Sequence, residues 1–146
     1  MADVKIVQLA DAVVADLAAE QFSQAFTPTR AYVPTIDLQE VKDLVVTVVA
    51  NARSETPVSR ADDEVDYTID VGVQKKISGD VNTSGEVDAL LALVLEVAAF
   101  LNRHRLTEAA DMTWVGTKND PIYYPEHLLN LRQFTSVLSV SYRQIE

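Results

Sequence analysis

The chain has 146 residues and no cysteine, with 48% hydrophobic and 23% charged residues. That length and balance predict one globular domain over residues 1–146 with its own core, and they exclude a disulfide scaffold, a thiolate metal site and a cysteine nucleophile. Asp and Glu number 22 against 12 Lys and Arg, so the formal net charge is −10 and the pI about 4.5, which argues against general attraction to nucleic acid or anionic lipid.

Met1 to Lys5 shows no basic stretch leading into an apolar run, so no signal peptide is predicted. Ile6, Leu9, Ala10, Val13, Val14 and Leu17 fall on one face of a helix predicted over 3–20, with Asp3 placed to cap it. Residues 26–33 read as extended, and the bracketing Pro28 and Pro34 make them an edge or an irregular segment. Asp37 to Lys42 reads as a turn or helical bend. Leu44 to Asn51 is a strand with valines on both faces (Val45, Val46, Val48 and Val49), the pattern of a strand covered above and below. Residues 50–64 lack periodicity and read as a long loop at the tip of an antiparallel hairpin.

The alternation of Val65, Tyr67, Ile69, Val71 and Val73 with Asp66, Thr68, Asp70, Gly72 and Gln74 predicts a strand with one buried and one polar face, running to Ile77. A turn at Ser78–Asp80 follows. Thr83 and Glu86 have capping-box spacing for a helix over 85–103. On that helix Asp88, Ala92, Glu96 and Arg103 make a narrow polar stripe. Val87, Leu90, Leu91, Val94, Leu95, Val97, Ala98 and Leu101 fill the rest, which requires cover from more than one neighbour: the first helix, the sheet or a second subunit. Val87–Phe100 is too short for a bilayer span of about 20 residues and carries Asp88 and Glu96, so a soluble protein is expected. A short apolar piece at Met112–Val115, a helical turn at Pro125–Leu131 and a last strand over 134–145 complete the chain. The expected fold is α+β: an antiparallel or mixed sheet of four to five strands with two main helices packed on one face.

Few residues suggest chemistry. Asp80, Asn82, Ser84 and Asp88 follow the spacing of a calcium loop, with Gly85 at its sixth position, but Leu91 stands where a bidentate carboxylate belongs. A turn leading into a capped helix accounts for the same residues. His104 and His127 have no metal-ligand spacing, and no nucleophile elbow, Walker sequence or dinucleotide fingerprint is present. Trp114, Tyr123 and Tyr124 lack a basic groove for nucleic-acid stacking and read as packing residues. The unusually long segment carrying Arg53, Glu55, Arg60, Asp62, Asp63, Glu64 and Asp66 is the candidate contact surface. No cofactor is expected.

The succession of Arg30–Pro34, Leu44–Val49, an arginine-bearing loop, Tyr67–Ile77, Val87–Val94 and Arg132–Arg143 resembles small neck and tail-completion proteins of tailed phages and prophages, most of all the tail terminators. The resemblance covers nearly the whole chain in pattern and order. It implies a virion structural protein, made in the host cytoplasm, with no catalytic residues. It further implies a homo-oligomeric, usually hexameric, ring that stops tail-tube polymerisation, touches the tail tube protein and the head-completion protein, and lets genomic DNA pass without specific binding. No membrane partner is implied. In that setting residues 53–66 become contact or lumen residues. Another head–tail connector, a calcium-dependent binding module on Asp80–Asp88, and a small-molecule enzyme on the same scaffold are the competing expectations; the last lacks a visible polar pocket.

Overall fold

The computed structural model describes residues 5–31, 44–78, 85–119 and 122–145. In chain order the elements are α1 (Lys5–Ala19), β1 (Pro28–Ala31), β2 (Val45–Pro57), β3 (Asp63–Lys76), α2 (Glu86–Leu101), β4 (Thr113–Lys118), α3 (Pro125–Leu131) and β5 (Gln133–Ile145). The strands form one five-stranded sheet in the order β1-β2-β3-β5-β4. β1 runs parallel to β2, and every other pairing is antiparallel. The fold is therefore α+β with a mixed sheet, as the sequence predicts. Pro28 opens the edge strand β1, where its missing N–H breaks no internal ladder.

Register explains which face the helices cover. Val46 and Val48 lie opposite Val73 and Val71, while Val71, Ile69 and Tyr67 lie opposite Leu138, Val140 and Tyr142. These side chains form one apolar surface and share a core with Leu9, Val13 and Leu17 of α1 and Leu90, Leu93, Val94, Val97 and Leu101 of α2. Both main helices thus pack on the same face. The opposite face is mixed: at one end Thr47, Val49, Gln74 and Thr135 are buried, and toward the hairpin it turns polar through Asp70, Thr68 and Asp66. A Cβ at Gly72 on that face would sit 3.1 Å from Thr47 Oγ1, a tight contact that the threonine hydroxyl would have to relieve by a few tenths of an ångström.

The hairpin differs from expectation. Residues 50–64 are not a long loop: β2 continues to Pro57, β3 begins at Asp63, and Pro57 pairs with Asp63. Only Val58–Asp62 turn, closed by Val58 N–H and Ser59 N–H donating to the Asp62 carbonyl at 3.1 and 3.2 Å. From Asn51 to Pro57 every residue of β2 is exposed. With no face of that stretch buried, hydrophobic alternation disappears while backbone pairing persists, so periodicity cannot reveal it. A bulge at Asn51 marks where the covered half of β2 ends.

Helix α2 also departs from the expected stripe. Leu95 is 59% exposed and lies on an outer face with Asp88, Ala89, Ala92 and Ala99. It borders a groove of about 480 Å³ that runs along β4 beside Trp114 and Leu138. Gly85 is the N-cap and makes no side-chain cap bond. Glu86 accepts bonds from Ser78 instead, from its N–H at 3.2 Å and its hydroxyl at 2.7 Å. Thr83 of the expected capping box, the expected bend at Asp37–Lys42 and, beyond Ser78, the expected turn at Ser78–Asp80 lie outside the described residues. α3 matches the expected Pro125–Leu131, opens with proline in its first turn and ends at Arg132 in the left-handed region, φ 52°. Among the described residues no helix is long and apolar enough to cross a membrane.

Candidate functional site: the hairpin arm and its charge ladder

Beyond the bulge, β2 and β3 project as a ribbon, with β5 alongside as far as Glu64 opposite Ile145. Strand alternation sorts the candidate residues onto its two faces. Arg53 and Glu55 lie opposite Tyr67 and Val65, on the helix side. Ser54 lies opposite Asp66 and Thr56 opposite Glu64, on the other side. The structure therefore places Arg53, Glu55, Asp63, Glu64 and Asp66 on paired strands. Only Arg60 and Asp62 lie in the turn.

On the helix side, Arg53 Nη2 donates to Glu55 Oε1 at 3.2 Å, and the guanidinium carbon sits 6.0 Å from the centre of the Tyr67 ring. Hydrogen bonding to Tyr67, then the charge of Glu55, holds the Arg53 proton more firmly than usual. Tyr67 itself is buried, as is Val65 farther out on the same face, while Arg53 and Glu55 opposite them are exposed.

The polar face carries a ladder. Asp70 Oδ1 accepts from Asn51 Nδ2 at 3.1 Å and from the Ser139 hydroxyl at 2.8 Å. Thr68 and Ser141 hydroxyls meet at 3.2 Å. Asp66 takes two bonds from Arg143, from Nε at 2.8 Å and from Nη2 at 3.2 Å, and Glu64 also pairs with Arg143. Arg143 is thus a two-carboxylate hub, and its bond to Asp66 raises its pKa further above neutrality. These groups are half-exposed, and surface pairs of this kind contribute only about 0–1 kcal/mol. Their effect is to fix the direction of the arm. Asp62 caps the tip by accepting from Ser59, while Arg60 is exposed.

A second polar cluster was not visible in sequence. Asp16 of α1 is buried and lies 2.7 Å from His104 Nε2, while the Thr107 N–H donates to the same carboxylate oxygen at 3.1 Å. The His104 ring packs on Phe100, 4.5 Å between centroids. Burial, and then the charge of Asp16, push the Tyr142 hydroxyl above its ordinary pKa. The cluster ties the segment after α2 to α1. The partners are 88 residues apart, so no local motif announces them.

Of the calcium-loop candidates, Asp80, Asn82 and Ser84 lie outside the described residues, and Asp88 is exposed in the first turn of α2. Among the described residues no three His, Asp or Glu side chains converge to hold a metal. His127 Nδ1 is 2.8 Å from the Thr135 hydroxyl, a contact that seats α3 on β5. Tyr123 packs on Phe134 and Tyr124 stacks on His127, while Trp114 Nε1–H donates to Thr117 at 3.0 Å. Each of these rings has its own packing partner.

No protein-family model matches the chain, and no curated protein matches it either.

Proposed function

We propose that the chain is a ring-forming structural protein of a tailed phage or prophage particle, a tail terminator that ends the tail tube and receives the head-completion proteins. The arm is the observation that carries this reading. Its β2 strand is exposed over seven consecutive residues, Asn51 to Pro57, while only the paired strand β3 buries side chains there, Val65 and Tyr67. Ordering such a ribbon costs about 1–2 kcal/mol per residue of backbone entropy, a cost offset when a neighbour covers it. Leu95 at 59% and Val115 at 42% exposure leave further apolar surface uncovered on α2 and β4. The acidic surplus suits a channel that DNA traverses without adhering. The charge ladder is explained by rigidity without any reaction, so the role is structural and the site is a contact surface.

Light scattering across a concentration series, with negative-stain images of the same sample, tests this. The expected result is a mass several times the 16.1 kDa chain and annular particles. A monomer at every concentration, with no annuli, would overturn the reading.

A further inference from the structure

After α2 the chain turns sharply at Arg103, φ 58°. The turn sets Arg103 and Arg105 around a cavity of about 420 Å³ walled by Ala110, Met112, Thr113 and Trp114. Arg105 Nε donates to the Ala110 carbonyl at 3.3 Å, which fixes its guanidinium at the cavity. No carboxylate lines the cavity among the described residues. Asp111, beside two of the lining residues in sequence, accepts from Gln144, and Asp16 is held against His104. On a chain of net charge −10 this is a cationic recess of mixed polar and apolar lining, with His104 also on its wall.

The hairpin tip is its complement. Pro57 and Val58, the latter 53% exposed, are followed by Asp62, Asp63 and Glu64, with Arg60 the single cation between Pro57 and Glu64. Thr113 pairs with Arg143, Arg143 with Asp66 and Asp66 with Ser54, so one row of the sheet joins the recess on the β4 edge to the arm on the β2 edge. The tip projects three residues past that row, about 10 Å at strand rise. Among the described residues no ion pair links tip and recess within one chain.

We propose that the hairpin tip of one copy seats in the Arg103–Arg105 recess of a second copy, the acids against the guanidiniums and Val58 against Trp114. This assignment rests on the ring reading and names its contacts. The two surfaces lie on opposite edges of one sheet, so the contact is head-to-tail. Such heterologous contacts build closed rings when the rotation per copy closes.

The absence of cysteine makes a direct test available. Ala61 in the turn and Ala110 in the recess are both exposed. The double variant Ala61→Cys/Ala110→Cys, mildly oxidised and run on a denaturing gel, is expected to give a ladder of multimers. Each single variant alone is expected to stay monomeric. Adding Arg103→Glu and Arg105→Glu is expected to abolish the ladder, and adding Asp62→Lys and Asp63→Lys to that variant to restore it. Circular dichroism of each variant checks that the fold is kept. An oligomer by light scattering that yields no ladder overturns the tip-to-recess contact and leaves the ring reading standing. A chain monomeric at every concentration removes both.

Discussion

The Tyr142 hydroxyl is buried within reach of the charge of Asp16 and, among the described residues, has no hydrogen-bond partner. A lone buried hydroxyl costs about 1–3 kcal/mol that a phenyl ring of the same shape does not. Tyr142→Phe is therefore expected to leave stability unchanged or raise it by up to about 2 kcal/mol, measured by urea unfolding at neutral pH. The alkaline limb gives a second readout. Unfolded tyrosine titrates near about pH 10, whereas burial first and Asp16 second raise the folded value. Above that pH the unfolded chain releases a proton that the folded chain keeps, so stability is full below it and falls as pH rises. The variant is expected to lose part of that alkaline slope. A loss of more than about 2 kcal/mol at neutral pH would mean that the hydroxyl has a partner in solution, and an unchanged slope that it titrates in the folded chain as it does in the unfolded one.

At the level of elements, β2 is two structures in one strand. Val46 to Val49 are buried, whereas Asn51 to Pro57 are exposed, and on its outer side β2 is paired by β1 only from Val46 to Val49. Amides open with free energies that follow local burial. In the dilute protein, amides of Ala52 to Thr56 are expected to exchange at least about tenfold faster than those of Val46 to Val49. Assembly is expected to slow the arm selectively; equal protection along β2 in a monomeric sample would remove the distinction between arm and body. This division also explains what sequence could tell. β3 was legible because the face carrying Val65, Tyr67, Ile69, Val71 and Val73 is buried, and α3 because Pro125 marks its start. The outer half of β2 was not, since backbone pairing without burial leaves no trace in side-chain pattern. The segment 53–66, the proposed contact surface, stands out in sequence by its length and charge, but Arg143, its ionic partner, comes from the far end of the chain and joins only through register. Arg103 reads in sequence as the end of a helix's polar stripe and Arg105 has no reading there; β4 places Trp114 beside both.

For the molecule as a whole the decisive quantity is charge. A net −10 on 146 residues sets up a repulsive field toward phosphate, and each carboxylate on the arm adds to it locally. Protein–DNA affinity carried by backbone contacts falls steeply as salt rises, so low salt is the condition most favourable to adhesion and the strictest test of a non-adhesive channel. The purified protein is expected to leave the mobility of duplex DNA unchanged even at about 20 mM salt, where the Debye length exceeds about 20 Å and distant charges are felt. The cationic recess does not alter this expectation: Arg103 and Arg105 lie in a cavity on the β4 edge, and an occupied recess presents no free guanidinium. The quadruple variant Asp62→Lys/Asp63→Lys/Glu64→Lys/Asp66→Lys shifts the formal charge by eight units, from −10 to −2, and concentrates the change on the arm. These lysines also break the tip-to-recess contact and leave the arm exposed, so the variant is expected to retard DNA at low salt and release it as salt rises. Retardation by the unaltered protein would instead mark a nucleic-acid partner and sink the conduit role, since a channel that binds its cargo stops it.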